Sequence, residues 1–387
     1  MTPAEALVDG VREELARNGS AVTPDLVARA LRAQGRPVGD AEVLAVHDRL
    51  RQDVEGAGPL DPLLGLPGVT DVLVNGAEHV YVDRGNGLER TGVRFPGDAA
   101  VRNLAQRLAG AAGRRLDDAT PYVDVRLADG TRFHAVLAPI ARPGTVLSLR
   151  VPRRRVFTLE ELVEAGTVNV DGARLLRRIV AARLAFLVSG GTGSGKTTLL
   201  SSLLSIVDPL HRIVVVEDSS ELRPDHPHVV GLEARPPNVE GAGEVPLRTL
   251  VRQALRMRPD RLVVGEVRGA EVADLLAAMN TGHEGGCGTV HANSAGDVPA
   301  RIEALAMAAG MPMAAVHSQL ASAVAAVVHL GRDRDGVRRL QQIAVLERRP
   351  DGIVVAMPAV AFDAGGATRE LAGASRLGEV LERGGAR

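Results

Sequence analysis

The sequence predicts an α/β protein. Its larger part reads as a mainly parallel sheet with helices on both faces, preceded by a small α/β domain and a short helical segment. Three observations predict this. The nine residues GGTGSGKTT at 190–198 stand between a short apolar run, 184–188, and a stretch with helical character, 197–204. Further apolar runs recur at 213–216, 262–264 and 287–290 with helices between them, the alternation of a parallel sheet. Residues 56–151 instead carry short alternating strands and an Asp129-Gly130 turn, the marks of an antiparallel sheet.

Residues 1–55 read as three short helices. Thr2 with Glu5 resembles a capping box, Thr23-Pro24 is an N-cap followed by proline in the first turn, and Asp40 is placed to cap the third. Leu7, Val11 and Leu15 share one helix face, which fits either a small bundle or a docking module for a partner. A break at Gly56-Ala57-Gly58-Pro59 opens the domain of residues 56–151. In it, 69–74, 80–82, 123–127, 131–137 and 145–151 read as strands and 98–109 as a helix. Residues 152–172 are expected as a linker; its Arg153, Arg154 and Arg155 fit a solvated surface or a contact with nucleotide or a neighbouring subunit. The larger α/β domain then spans 173–387.

Composition narrows the function. A nucleic-acid motor would be expected to carry a basic groove and aromatic stacking platforms, and a formal net charge of −1, no tryptophan and 2% aromatic residues speak against one. Its one cysteine, Cys287, excludes an intramolecular disulfide, and the amino terminus does not read as a signal peptide, so a cytoplasmic location is expected. The apolar stretch 304–330 is interrupted by Pro312, His317, Ser318 and Gln319 and does not read as a membrane span. Membrane association is expected only through a partner.

The segment at 190–198 has the G-x-x-x-x-G-K-[ST] spacing of a phosphate-binding loop. Gly190, Gly191, Gly193 and Gly195, with Thr192 and Ser194 between them, let backbone N–H groups turn inward at a positive helix terminus. Lys196 is then expected to reach the β- and γ-phosphates of ATP, and the Thr197 hydroxyl to ligate Mg²⁺, with Thr198 completing the motif. Of 46 basic residues this is the only lysine, kept where a compact, mobile ammonium is wanted and an arginine fork is not. Ligands in such sheets bind beyond the carboxyl ends of the strands. Glu217 and Asp218 follow the second strand, Gly265 and Glu266 the third, and His291 the fourth. Carboxylates at Glu217, Glu221 and Glu266 could orient water or serve Mg²⁺.

Four ordered segments, the loop itself, RIVVVEDSSEL, the long block from HVVGLEARPPNVEGAGEV to RLVVGEVRG and AMNTGHEGGCGTVHANS, resemble the secretion-superfamily ATPases of type II secretion, type IV pili and type IV secretion. The long block is most similar to the Tad/Flp pilus-assembly branch, and the resemblance covers roughly residues 57–330. It implies a RecA-like ATPase domain behind a PAS-like one, a homohexamer, and inner-membrane platform proteins as partners. It also implies roles. Glu221 corresponds to the general base and Glu266 to the Walker B glutamate, here preceded by Gly265 in place of the usual aspartate. His283 and His291 correspond to the His box; their spacing matches no usual zinc motif, and a place near the γ-phosphate or at the domain interface is expected. Arg126, Arg132 and Arg150 correspond to arginines that serve the nucleotide from the amino-terminal domain. Arg248, Arg252 and Arg256 recur every four residues and would form one charged stripe, solvated or supporting a ring. A conjugal-transfer or type IV secretion ATPase, a DNA-translocating motor and a nucleotide sensor without turnover are the competing readings.

Overall fold

In the strands of the first half roughly every second residue is apolar, so each can bury one face and leave the other polar. The computed structural model describes residues 24–33, 39, 43–44, 56–85, 87–152, 156–237, 241–281, 285–333, 336–363 and 365–385. The readings made on Thr2, Glu5, Leu7, Val11, Leu15, Asp40, Arg153, Arg154, Arg155 and His283 lie outside the described residues. The chain divides into two compact units, Met1–Arg153 and Arg154–Arg387.

In the first unit, α1 (Pro24–Ala33) buries Val27 and Leu31, one helical turn apart, and α2 (Asp61–Leu64) precedes the sheet. Strands β1 (Asp71–Asn75), β2 (His79–Asp83), β3 (Leu88–Arg90), β4 (Tyr122–Arg126), β5 (Arg132–Val136) and β6 (Val146–Arg150) pair antiparallel in the order β3-β2-β1-β6-β5-β4. Helix α3 (Asp98–Ala111) turns Val101, Leu104, Ala105 and Leu108 inward, into the core that also holds Val72, Val74, Phe133, Ala135, Leu147 and Leu149 from the strands. Asp98 fixes its start: the carboxylate accepts the backbone N–H of Thr145 at 2.6 Å and its hydroxyl at 3.1 Å. The other face of the sheet carries the polar residues of the same strands.

The second unit begins inside the expected linker. Thr158 and Glu161 form a capping box that starts α4 (Leu159–Glu164), whose Leu159 and Leu162 are buried, and Asn169 caps α5 (Val170–Ala181). Residues 159–172 of the expected linker therefore belong to the second unit, with Leu159, Leu162 and Val168 in its core; the Thr158–Glu161 capping box is the signal that the sequence reading passed over.

A nine-stranded sheet follows in the order β15-β14-β13-β12-β7-β11-β10-β8-β9. Its parallel part comprises β7 (Phe186–Gly190), β8 (Ile213–Glu217), β9 (Val229–Glu233), β10 (Arg261–Val267), β11 (Cys287–Val290) and β12 (Ala326–Arg332). Residues after 332, in which the sequence shows no motif, extend the sheet antiparallel through β13 (Arg338–Arg348), β14 (Val354–Phe362) and β15 (Thr368–Glu370). Successive residues of the central strands feed opposite cores. Val188, Ile213 and Val215 face one side with α5, α6 (Lys196–Ser205) and α11 (Ala374–Gly385). Leu187, Val214 and Val216 face the other with α7 (Leu247–Ala254), α8 (Glu271–Met279), α9 (Val298–Ala308) and α10 (Met313–Ala323). This is the α/β, RecA-like arrangement expected, with a mixed rather than purely parallel sheet. On α7 the expected stripe is tied down: Arg248 and Arg252 both donate to Asp274 of α8, at 2.6 and 2.7 Å.

Candidate functional site

Strand β7 is buried along its whole length, which fixes the backbone where the glycine loop begins. The crest of the loop, Gly191, Thr192 and Gly193, is exposed, whereas Ser194 and Lys196 are buried and Thr197 is half-buried. Lys196 is the first residue of α6, and its Nζ donates to the carbonyls of Gly190 at 3.0 Å and Gly191 at 2.9 Å. Burial pushes the lysine pKa down, while the charges of Glu266 and Glu221 pull it back up. Both carboxylates therefore act on the same ammonium. Ser194 Oγ is buried without a hydrogen-bond partner. A buried ammonium bonded to two neutral carbonyls, beside an orphaned hydroxyl at a helix N-terminus, is a donor set that charged phosphate oxygens fit well.

The acidic residues divide into two kinds. Glu217, expected among the Mg²⁺ ligands, is buried at the end of β8 and its Oε1 accepts the backbone N–H groups of Glu221 at 3.1 Å and Leu222 at 3.0 Å. Burial raises its pKa from 4.5 to about 7 against the pull of those two N–H groups. Its carboxylate is thus the post on which the next loop hangs, and Glu221, exposed on that loop, is the acid left facing solvent. Glu217 also explains Gly265: a Cβ at that position would lie 2.5 Å from Glu217 Cγ. The aspartate usual before the Walker B glutamate has no room.

Glu266 is aimed by a bulge. Val264 pairs with Gly288 and Val267 with Val290, so Gly265 and Glu266 of β10 stand opposite Thr289 alone, and the Thr289 hydroxyl donates to the Gly265 carbonyl at 2.6 Å. The re-aimed Glu266 carboxylate meets His291 Nε2 at 3.0 Å, just past the end of β11. Burial and the Lys196 charge depress the His291 pKa while Glu266 raises it. Beside these, Asp218 pairs with Arg268. Among the described residues no three His, Cys, Asp or Glu side chains gather as a metal cage.

In the first unit, the strand register lines up residues that the sequence could name but not align. Arg126 of β4 stands directly opposite Arg132 of β5, which stands opposite Arg150 of β6, which stands opposite Asp71 of β1. Directly opposed residues share a sheet face. The three arginines thus form one row on the face that α3 does not cover. Asp124 binds Arg132 through Nε at 3.2 Å and Nη2 at 2.8 Å, and Asp71 binds Arg150 Nε at 3.1 Å.

Two further arginines were missed. Arg332 and Arg338 both donate to the carbonyl of Gly193 in the glycine loop. They lie about 140 residues downstream of that loop in sequence, and the one local signal that could have found the hairpin is the Asp-Gly pair at 335–336, which the sequence reading did not use.

Comparison with known proteins bears on the family and the fold. The family described as Type II/IV secretion system protein matches residues 53–359. A Mycobacterium tuberculosis protein named for conjugal transfer is 59% identical over 326 residues, covering 83% of this chain and 92% of its own length. The conjugal transfer protein TrbB of Rhizobium radiobacter is 30% identical over 284 residues, covering 72% of this chain and 84% of its own. Among solved structures, the pilus retraction motor PilT with bound ADP superposes with a TM-score of 0.52 at 18% identity, covering 86% of each chain, a likeness of fold.

Proposed function

The chain belongs to the type II/IV secretion system protein family, and from that premise we propose that it is a Mg²⁺-dependent ATPase that acts as the motor of such a system. The observation that carries the reading is the donor set beyond β7: the buried Lys196 ammonium at the start of α6, bonded to the Gly190 and Gly191 carbonyls, beside the buried Ser194 hydroxyl. In this reading Gly190, Gly191, Thr192, Gly193, Ser194, Gly195, Lys196, Thr197 and Thr198 hold the nucleotide. Thr197 and Glu266 would hold Mg²⁺, which would supply positive charge to offset that of the phosphates. Glu221 takes a proton from water as its oxygen attacks the γ-phosphorus and the bond to ADP breaks. His291 holds Glu266 in its re-aimed position. Arg126, Arg132 and Arg150 serve turnover by offering positive charge to the transferring phosphoryl group. Glu217 acts through the backbone of Glu221 and not on the metal.

Two readings concern what the motor drives. The relatives named for conjugal transfer favour a type IV secretion system that moves DNA or protein. The RPPNVEGAGEV block and its continuation to Gly269 favour assembly of a Tad/Flp-type pilus. Both call for a homohexamer on inner-membrane platform proteins, at the cytoplasmic face. Among the described residues no helix is long and apolar enough to cross a membrane. The test is phosphate release by purified protein with ATP and Mg²⁺, with light scattering for the ring. A protein that binds ATP but releases no phosphate would make it a sensor instead, and deletion in the host, read as lost pili or lost DNA transfer, separates the two systems.

A further inference from the structure

The glycine loop is gripped from its outer side by the hairpin that begins the carboxyl-terminal part of the sheet. Arg332 closes β12 and Arg338 opens β13, directly opposite each other in the ladder. Arg332 donates Nε at 3.3 Å and Nη2 at 3.1 Å, and Arg338 donates Nε at 2.9 Å, all to the carbonyl oxygen of Gly193. Like charges placed opposite each other in a sheet repel. Here the two guanidinium groups converge on a single neutral oxygen, and among the described residues Arg332 has no carboxylate partner. The support beneath them is firm. Asp333 accepts from Arg339 Nε at 2.8 Å and from the backbone N–H of Val337 at 2.9 Å, and Arg339 Nη1 donates to the Gly166 carbonyl at 2.9 Å.

A trans peptide is planar, with its C=O and N–H pointing in opposite directions. Holding the Gly193 oxygen toward the hairpin therefore holds the Ser194 N–H away from it, into the loop, where it donates to the Gly191 carbonyl over a long 3.3 Å. Gly193 sits at φ +67°, and without a side chain it lets this peptide rotate at little cost. Rotated the other way, the peptide would put a carbonyl oxygen among the donors that receive phosphate.

We propose that Arg332 and Arg338 are positioning residues that lock the Gly193–Ser194 peptide with its N–H presented to the nucleotide phosphates, so that the carboxyl-terminal hairpin sets nucleotide affinity. The lock rests on the reading of the glycine loop as a nucleotide site. The test measures dissociation constants for MgATP and MgADP by displacement of a fluorescent nucleotide, alongside kcat at saturating ATP. The Arg332→Gln, Arg338→Gln double variant is expected to bind both nucleotides about 10-fold or more weakly, the scale of losing charge-assisted hydrogen bonds, with kcat within a few-fold. Arg332→Lys, which keeps one charged donor, is expected to recover part of the affinity and serves if the double variant melts early. A folded double variant that binds both nucleotides as the wild type does, or one whose kcat falls as far as its affinity, would overturn the lock. Wild-type protein that binds no nucleotide would instead overturn the reading on which it rests.

Discussion

Both units oppose arginines across a sheet, and they offset the repulsion in different ways. The row Arg126, Arg132, Arg150 carries its own acids, Asp124 and Asp71, in exposed pairs. Arg332 and Arg338 converge on a backbone carbonyl. An exposed ion pair contributes only ~0–1 kcal/mol, so the first row can exchange its carboxylates for a more highly charged anion at small cost. The second pair has a covalent part of the loop, the Gly193 carbonyl, as a partner. The difference teaches that the first set suits intermittent work, as in turnover, and the second standing work, as in binding.

The largest expected effect comes from the loop that both sets would serve. Lys196→Ala should abolish phosphate release and weaken ATP binding together, since the buried ammonium is the loop's own cation. Retained tight binding in that variant would break the comparison, because the affinity would then come from elsewhere. Next, Glu221→Gln should lower turnover by roughly 10²- to 10⁴-fold, the usual contribution of a positioned base, with ATP affinity nearly unchanged. Turnover at the wild-type rate would move the base to another residue.

These two residues were legible in the sequence because each motif is local: a strand, a loop and a helix adjacent in the chain, and acids immediately after buried runs. The rest required the third dimension. Arg126, Arg132 and Arg150 could be named one by one, but their common row depends on register, which a one-residue slip would reverse. Arg332 and Arg338 meet a loop far away in sequence, and strands β13 to β15 carry mixed polar patterns that do not announce an edge of the main sheet. Gly265 was visible as a departure from the usual aspartate, but its reason, the buried Glu217 side chain, was not.

Smaller effects sharpen that last contact. Gly265→Ala would set a methyl 2.5 Å from Glu217 Cγ, and overpacking of this kind costs roughly 1–3 kcal/mol. Chemical denaturation should show the loss, with a fall in turnover as the Glu221 loop shifts; equal stability would mean that Glu217 can move aside. The smallest effect is a slope in pH. The pKa of Glu217 stands raised from 4.5 to about 7, so the folded state holds a proton that the unfolded chain releases. Its contribution to stability is present below about pH 4.5 and is lost as pH rises through about 7. Glu217→Gln should flatten that part of the melting-temperature profile; an unchanged profile would show the carboxylate to be ionised throughout.

The most direct measurement puts bound nucleotide and released phosphate on the same samples of wild type and the Arg126→Ala, Arg150→Ala double variant at saturating MgATP. The predicted result is full occupancy with turnover reduced by roughly 10³-fold or more, the scale of catalytic arginines. A folded double variant that releases phosphate within a few-fold of the wild-type rate would contradict the division of labour between the two sets of arginines.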